Sequence, residues 1–246
     1  MLGAYYGKSY DTRSLFDTLE IGKSKDYLTH LNKYNVISMC LNNLSDKGNT
    51  YNDYIDLIKN SFKRDIAAAY PELESREFNS ISDMLAATGD EFIFIIDEWD
   101  YIFSHDLYPE HQGDFLEFLR DLLKDRPYVA LAYMTGVLPI KRYSTGSALN
   151  MFKEYTMLND PSFEHYFGFT EEEVAALCEQ QTTLSMEEIS EWYNGYQTRD
   201  GRRIYNPRSV VCALEDGACQ SYWTNTGKMD EVLFYLKHNI DEVRED

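Results

Sequence analysis

Three apolar runs of strand length constrain the fold of this chain more than any other feature. They are Val36 to Leu41 (VISMCL), Glu91 to Ile96 (EFIFII) and Tyr128 to Met134 (YVALAYM). Nearly continuous apolar runs of this length are typical of parallel strands that helices cover on both faces. Residues 54–66 and 115–123 lie between these runs and have apolar side chains at helical spacing. Strands that alternate with helices predict an α/β fold with a doubly wound parallel sheet.

The pattern changes near residue 169, where helices with clear start signals replace the strands. Three such signals precede apolar helical stripes: Thr170 with Glu173, Ser185 with Glu188, and Asn206 with Pro207. The first two are capping boxes, and the third places a cap before a proline at the first helical position. A last helix is predicted through Val232, Leu233 and Leu236. We therefore predict a core domain over residues 1–165 and a mainly helical, lid-like subdomain over residues 166–246.

The charge of the chain argues against a nucleic-acid partner. Forty-two acidic residues against 23 basic ones give a net charge of −19, and such a field repels phosphate backbones. The longest basic stretch, Arg199 to Arg203, is interrupted by Asp200 and Gly201. We expect no direct contact with nucleic acid.

Cysteine usage and hydropathy bear on the compartment. Cys40, Cys178, Cys212 and Cys219 show no metal-ligand spacing, so we interpret them as buried free thiols in a reducing environment. No run approaches the ~20 apolar residues of a membrane span, and the first residues lack the layout of a signal peptide. We expect a cytoplasmic protein without a membrane partner.

The strongest chemical signal is the end of the second apolar run, FIFIIDEWD at residues 92–100. Asp97 and Glu98 follow the strand directly, and ligand crevices lie at the carboxyl edge of open α/β sheets. In a Walker B arrangement the first acid holds Mg²⁺ and the second acts as general base toward the attacking water. A buried strand that leaves the core into solvent carries similar acids, and this alternative stays open.

The third apolar run ends in a polar residue at the matching position. Thr135 follows this run, and P-loop ATPases place a sensor residue at the tip of the strand beside Walker B. A threonine that merely terminates a strand fits the pattern equally well. Downstream, Lys141 and Arg142 could supply a cation to a triphosphate, although a basic pair on a loop is often only solvated.

Gly7-Lys8-Ser9 resembles the end of a Walker A motif without completing it. The pattern G-x-x-x-x-G-K-[ST] needs glycine at position 2, where this chain has Leu2. No strand precedes the tripeptide in the sequence, so its amides are not expected to form a phosphate-binding nest. We reject it as a phosphate-binding loop.

Several segments together resemble the predicted AAA-ATPase-like proteins of bacteria, a P-loop NTPase family often linked to a C-terminal PD-(D/E)XK nuclease-like domain. The resemblance runs through nearly the whole chain, in these segments: LGAYYGKSYDTRSLFDTLEI, FIIDEWD, TGVLPIKRYSTGSALNMFKEYTM, YFGFTEEEV, EWYNGY, IYNPRSV and YWTNTG. Trp99 stands where the family usually has tyrosine.

The resemblance implies a P-loop-type sheet, Mg²⁺ and ATP as cofactors, and ATP hydrolysis. It assigns Asp97 to the metal, Glu98 and Thr135 to catalysis, and Lys141 and Arg142 to nucleotide contacts. It also implies that the family's Walker A segment, of the type RPRRFGK[ST], and the nuclease-like region are missing here. Losing three phosphate hydrogen bonds of ~1.5 kcal/mol each weakens binding by roughly a thousandfold. We therefore expect impaired ATP binding by this chain alone.

Two alternatives from other functional classes stay open. The first is a non-catalytic interaction module on a degenerate ATPase core, which binds a protein partner or the nuclease-like domain through its aromatic C-terminal part. The relevant aromatic side chains are Trp192, Tyr193, Tyr196, Tyr222 and Trp223. The second is a metal-dependent nuclease that uses Asp97, Glu98 and Asp100, although no lysine accompanies these acids and the acidic surface disfavours DNA.

Overall fold

The chain divides into two compact units, Met1–Phe152 and Lys153–Asp246. A computed structural model describes residues 1–42, 49–140, 149–155, 163, 166–181, 183–198 and 200–222. The predicted domain boundary near residue 166, which came from a change in the sequence pattern, stays a prediction.

A three-stranded parallel sheet forms the centre of the first unit. Its strands are β1 (Asn35–Cys40), β2 (Phe92–Asp97) and β3 (Val129–Met134). β2 lies in the middle, in the order β1-β2-β3, and both pairings are parallel. The α/β class and the three predicted strands are therefore confirmed, each within one or two residues at its ends. The P-loop type of the sheet stays a prediction.

Six α-helices accompany the sheet among the described residues of this unit. They are α1 (Leu2–Tyr6), α2 (Tyr27–His30), α3 (Tyr51–Ala69), α4 (Ile81–Thr88), α5 (Tyr101–Ser104) and α6 (Gln112–Leu123). Local sequence fixes the ends of the longer ones. Thr50 and Asp53 form a capping box at the start of α3, and Gly89 ends α4 in the left-handed conformation at φ 73°, which glycine adopts without steric cost.

The two faces of the sheet have different cover. α1 lies over the face that carries Val36 and Ile95, because a Cβ atom at Gly3 would be 4.0 Å from each of these side chains. The opposite face carries Phe92 and Phe94, both buried. Aromatic rings pack against it, including Tyr70 after α3 and Tyr128 before β3, with centroid distances of 6.4 and 6.2 Å.

On the first face, Leu131 and Tyr133 of β3 are paired with Ile93 and Ile95 and are 42% and 47% exposed. The expectation that helices cover the strands on both faces is therefore wrong for this part of β3.

The second unit is mainly helical, with a small sheet that the sequence did not predict. Its described helices are α7 (Glu171–Cys178), α8 (Met186–Tyr193) and α9 (Pro207–Asp216). Its strands are β4 (Phe169–Thr170), β5 (Tyr196–Gln197) and β6 (Arg203–Tyr205), paired antiparallel in the order β4-β6-β5.

The predicted helix starts of this unit are confirmed. Thr170 and Ser185 each form a reciprocal capping box with the glutamate three residues on, and the Asn206 side chain accepts a hydrogen bond from the Ser209 amide. The helices enclose a core around Val174, Ile189 and Tyr205, none of which has accessible surface. The helix predicted through 232–236 lies outside the described residues.

All four cysteines are free, as expected. Cys178 is buried, whereas Cys40, Cys212 and Cys219 are only partly so, which corrects the expectation that all four thiols are buried. Among the described residues, no helix is both long enough and apolar enough to cross a bilayer.

Candidate functional site at the carboxyl edge of the sheet

The ends of the three parallel strands bring the predicted acids and threonine to one edge of the sheet. Cys40, the last residue of β1, is paired with Asp97, the last residue of β2. β3 ends one residue before Thr135, and the Thr135 amide donates to the Ile96 carbonyl at 2.9 Å. Parallel strands all present their carboxyl ends at the same edge, which is why positions far apart in sequence meet here.

Asp97 and Thr135 are in direct contact. The Thr135 hydroxyl donates a hydrogen bond to Oδ1 of Asp97, and the same oxygen accepts the Glu98 amide at 3.2 Å. The Asp97 side chain is solvent-exposed, so its carboxylate remains accessible while one oxygen is held. The arrangement fixes the orientation of a carboxylate that is open to a cation or to water.

Glu98 turns the chain sharply away from β2. Its φ is +52°, a left-handed conformation that non-glycine residues adopt at a cost of about 1 kcal/mol or more. The Glu98 carbonyl accepts the Tyr101 amide at 3.0 Å, which begins α5. The side chain is half-buried. Such a conformation is common where a side chain must be aimed at a site.

Cys40 is a residue of this edge that sequence reasoning did not assign to the site. Burial raises the pKa of its thiol, and the negative charges of Asp97 and Glu98 raise it further. The thiol therefore stays protonated at neutral pH, and its Sγ donates to Oδ1 of Asn42 at 3.1 Å. The signal was available, because Cys40 is the last residue but one of the predicted strand Val36 to Leu41 and so lies near its carboxyl end.

Asp100 has a different environment from the other two acids of this segment. Its side chain is only 3% exposed, and its Oδ2 accepts the amides of Val137 and Leu138 at 3.0 and 2.7 Å. Among the described residues, no group of three His, Cys, Asp or Glu side chains is arranged to hold a metal ion. The three-acid cluster required by the nuclease hypothesis is therefore not formed.

Lys8 lies at the other edge of the sheet. Its Nζ is 3.5 Å from Oδ2 of Asp90, and Asp90 precedes β2. The same oxygen accepts hydrogen bonds from the Tyr70 hydroxyl at 2.7 Å and from Asn35, at the start of β1, at 3.1 Å. These donors, the Tyr70 hydroxyl above all, lower the pKa of Asp90.

The position of Lys8 bears on the incomplete Walker A motif. Lys8 lies near the start of β2 and Asp97 ends it. Because a six-residue strand spans about 17 Å, Lys8 is far from Asp97. Gly7 follows the short helix α1 and is paired with Tyr34 in an isolated bridge. The contacts of Gly7-Lys8 agree with the rejection of this tripeptide as a phosphate-binding loop. Lys141 and Arg142 lie outside the described residues.

The parallel sheet and its carboxyl edge define an α/β domain in which Asp97, Glu98 and Thr135 lie together where the strands end. The family model described as "Predicted AAA-ATPase" matches residues 1–145. This match covers more than half of the chain and includes every predicted site residue. The chain belongs to this family of predicted AAA-ATPases. No curated protein and no solved structure matched the chain.

Proposed function

We propose that this chain contributes the Mg²⁺-binding and water-activating edge of an ATP-hydrolysing P-loop domain. The contact of the Thr135 hydroxyl with Asp97, beside Glu98 at the carboxyl edge, carries the proposal. Family membership supports it independently, because the hydrolysis of ATP is the reaction that the family's description names.

Asp97 is the residue proposed to hold the metal. Mg²⁺ prefers oxygen ligands and is bound by one or two carboxylates together with substrate phosphates. An exposed carboxylate with one anchored oxygen fits this requirement. Mg²⁺ at this position supplies charge neutralisation for the phosphates.

Glu98 is proposed as the general base and Thr135 as the sensor. Glu98 follows Asp97 directly, and its backbone turn separates its side chain from the strand. A carboxylate there can accept a proton from water that attacks the terminal phosphate. The Thr135 hydroxyl donates to Asp97, and its lone pairs can accept a hydrogen bond from water and so orient it. A contact with the γ-phosphate requires the hydroxyl proton to turn from Asp97 to a phosphate oxygen.

Lys141 and Arg142 are proposed to contact the nucleotide phosphates. They follow β3 within the segment that the family model covers, close in sequence to Thr135. Cations near the triphosphate stabilise the charge that develops during phosphoryl transfer.

Tight ATP binding is proposed to require a complete phosphate-binding loop in addition to residues 1–246. The sequence of these residues contains no complete Walker A pattern, and the backbone amides of that loop supply much of the phosphate affinity. We further propose a bacterial, cytoplasmic protein that works with a C-terminal nuclease-like domain or another protein. The four free thiols favour a reducing compartment.

The test is the steady-state ATPase activity of residues 1–246 joined at their N-terminus to a strand and Walker A segment of the family (the Walker A fusion), with and without Glu98→Gln. We expect kcat to fall by about a hundredfold or more, because glutamine cannot accept the proton, while KM for Mg·ATP changes little. Glu91→Gln is the matched control, since Glu91 is an exposed acid at the amino end of the same strand. Retention of full activity by Glu98→Gln would remove Glu98 from the mechanism.

The second candidate function is a non-catalytic interaction module. Trp192 is 56% and Tyr196 37% exposed, whereas Tyr193 is buried, so two of the aromatic side chains named above are available to a partner. Trp223 lies outside the described residues. Sedimentation velocity of a mixture with the separately purified nuclease-like domain tests this function. A complex that Trp192→Ala abolishes supports it, and independent sedimentation of the two proteins contradicts it.

A further inference from the structure

The residues after β3 are bound to the end of β2 and to the turn that follows it by four hydrogen bonds, besides the contact of the Thr135 hydroxyl with Asp97. Two join main-chain atoms: the Thr135 amide donates to the Ile96 carbonyl at 2.9 Å, and the Trp99 amide donates to the Thr135 carbonyl at 3.0 Å. The other two are the Val137 and Leu138 amides, which donate to Oδ2 of Asp100. The chain is therefore held at Thr135 by its own two main-chain bonds, and two and three residues later by the bonds of Val137 and Leu138 to Asp100.

Asp100 is suited to holding a loop rather than to contacting a ligand. Of the residues that the structure describes, it is the only acidic side chain that is buried. Burial of a carboxyl group is unfavourable unless it is hydrogen-bonded, and hydrogen bonds from amides to a carboxylate are about twice as strong as neutral ones. Two amides of successive residues satisfy the same oxygen here.

Gly136 shows how closely the loop and the turn approach. A Cβ atom at this position would be 2.5 Å from Oδ1 of Asp100 and 2.6 Å from both Cδ1 and Nε1 of Trp99. Real Cβ atoms do not come so near to other heavy atoms, so only glycine permits the approach. Trp99 is itself 2% exposed, which leaves the indole little room to move away.

We propose that Asp100 is a positioning residue of the site: its buried carboxylate fixes the loop after β3 so that the Thr135 hydroxyl stays on Asp97. This inference rests on the proposed function for its effect on ATP hydrolysis, while the geometry of the loop can be tested without it. Because its side chain is only 3% exposed, Asp100 is proposed to act through the loop and not by contact with nucleotide or metal.

The kinetic test is a double-mutant cycle in the Walker A fusion with Asp100→Ala and Thr135→Ala. A misplacement of about 1 Å can lower kcat on the order of a hundredfold, so we expect Asp100→Ala to lower kcat at least tenfold with little change in KM. If Asp100 acts through Thr135, its replacement has almost no further effect once Thr135 is alanine. Effects that multiply would overturn the proposal.

Asp100→Asn is the conservative variant, and it also serves if Asp100→Ala does not fold. Its carbonyl oxygen still accepts the two amides without the charge, so we expect it to retain more activity than alanine. The remaining loss should again vanish in the Thr135→Ala background. Asp90→Asn is the matched control, because Asp90 also accepts several hydrogen bonds but lies at the amino edge of the sheet.

A measurement independent of hydrolysis separates this inference from the proposed function. Amide-resolved hydrogen exchange should show faster exchange at Val137, Leu138 and also Thr135 in Asp100→Asn, and no change there in Asp90→Asn. Faster exchange at Val137 and Leu138 alone would mean that Asp100 does not position Thr135. If the Walker A fusion without these substitutions shows no ATPase activity, the proposed function fails, and the exchange data still decide the role of Asp100.

Discussion

Gly136→Ala should destabilise the first unit although it adds only one methyl group. The new Cβ would lie 2.5–2.6 Å from Asp100 and Trp99, roughly 0.8 Å closer than the lower limit of ordinary contact, and both neighbours are buried. Overpacking of this kind costs typically 1–3 kcal/mol. Alanine also restricts the unfolded chain, which offsets about 0.4–1 kcal/mol of this loss.

The centres of these two ranges leave a net loss of about 1.3 kcal/mol in the free energy of unfolding. For a unit of roughly 150 residues this lowers Tm by about 3–5 °C, which differential scanning calorimetry resolves. Gly113→Ala in α6 is the matched control, because a Cβ there meets nothing within 4 Å. Alanine favours the helix by up to about 1 kcal/mol, so the control should be as stable as the wild type or more so.

The two glycine variants together decide whether the close approach is real. A Gly136→Ala protein as stable as the wild type would refute the packing of the loop against Trp99 and Asp100. A destabilised Gly113→Ala protein would show that the loss reflects glycine replacement in general.

Three further predictions concern other sites. Asp90→Asn should lower the free energy of unfolding at neutral pH, because the folded-state pKa of Asp90 is lowered. The difference from the wild type in urea unfolding should shrink as pH falls below about 4, where the carboxylate is protonated and its contribution is lost. A difference that persists at low pH would contradict this. Cys40 should react with iodoacetamide at pH 7.5 more slowly than a cysteine in an unfolded peptide, because the pKa of its thiol is raised. Mass spectrometry of the alkylated protein measures the rate, and equal rates would contradict this. Gly168→Ala should destabilise the second unit in thermal unfolding by more than about 1 kcal/mol, because φ is +78° and a Cβ would be 2.2 Å from Cγ2 of Ile204; an unchanged Tm would contradict this.

The parallel sheet could be predicted because its strands carry their own signal. The runs of β1, β2 and β3 are apolar on both faces, a pattern typical of buried parallel strands. Only β2 is buried, whereas Leu131 and Tyr133 of β3 are 42% and 47% exposed. The placement of Asp97 and Thr135 at one edge followed from the same pattern, since both residues come at the ends of parallel strands, but their hydrogen bond was not predicted.

The small sheet of the second unit and the role of Asp100 could not be predicted. β4 and β5 have two residues each, too few for an alternating pattern, and their pairing depends on where the flanking helices place them. An aspartate after a strand is usually solvated. The burial of Asp100 depends on amides 37 and 38 residues further along the chain, which no local pattern reports.

Calorimetric titration with Mg·ATP tests the central claim most directly, with the Walker A fusion and residues 1–246 alone measured side by side. We predict low-micromolar binding by the Walker A fusion, and no heat below millimolar concentrations for residues 1–246, which contain no complete Walker A pattern. A folded Walker A fusion that gives no heat up to millimolar Mg·ATP would contradict the assignment of this edge to ATP hydrolysis.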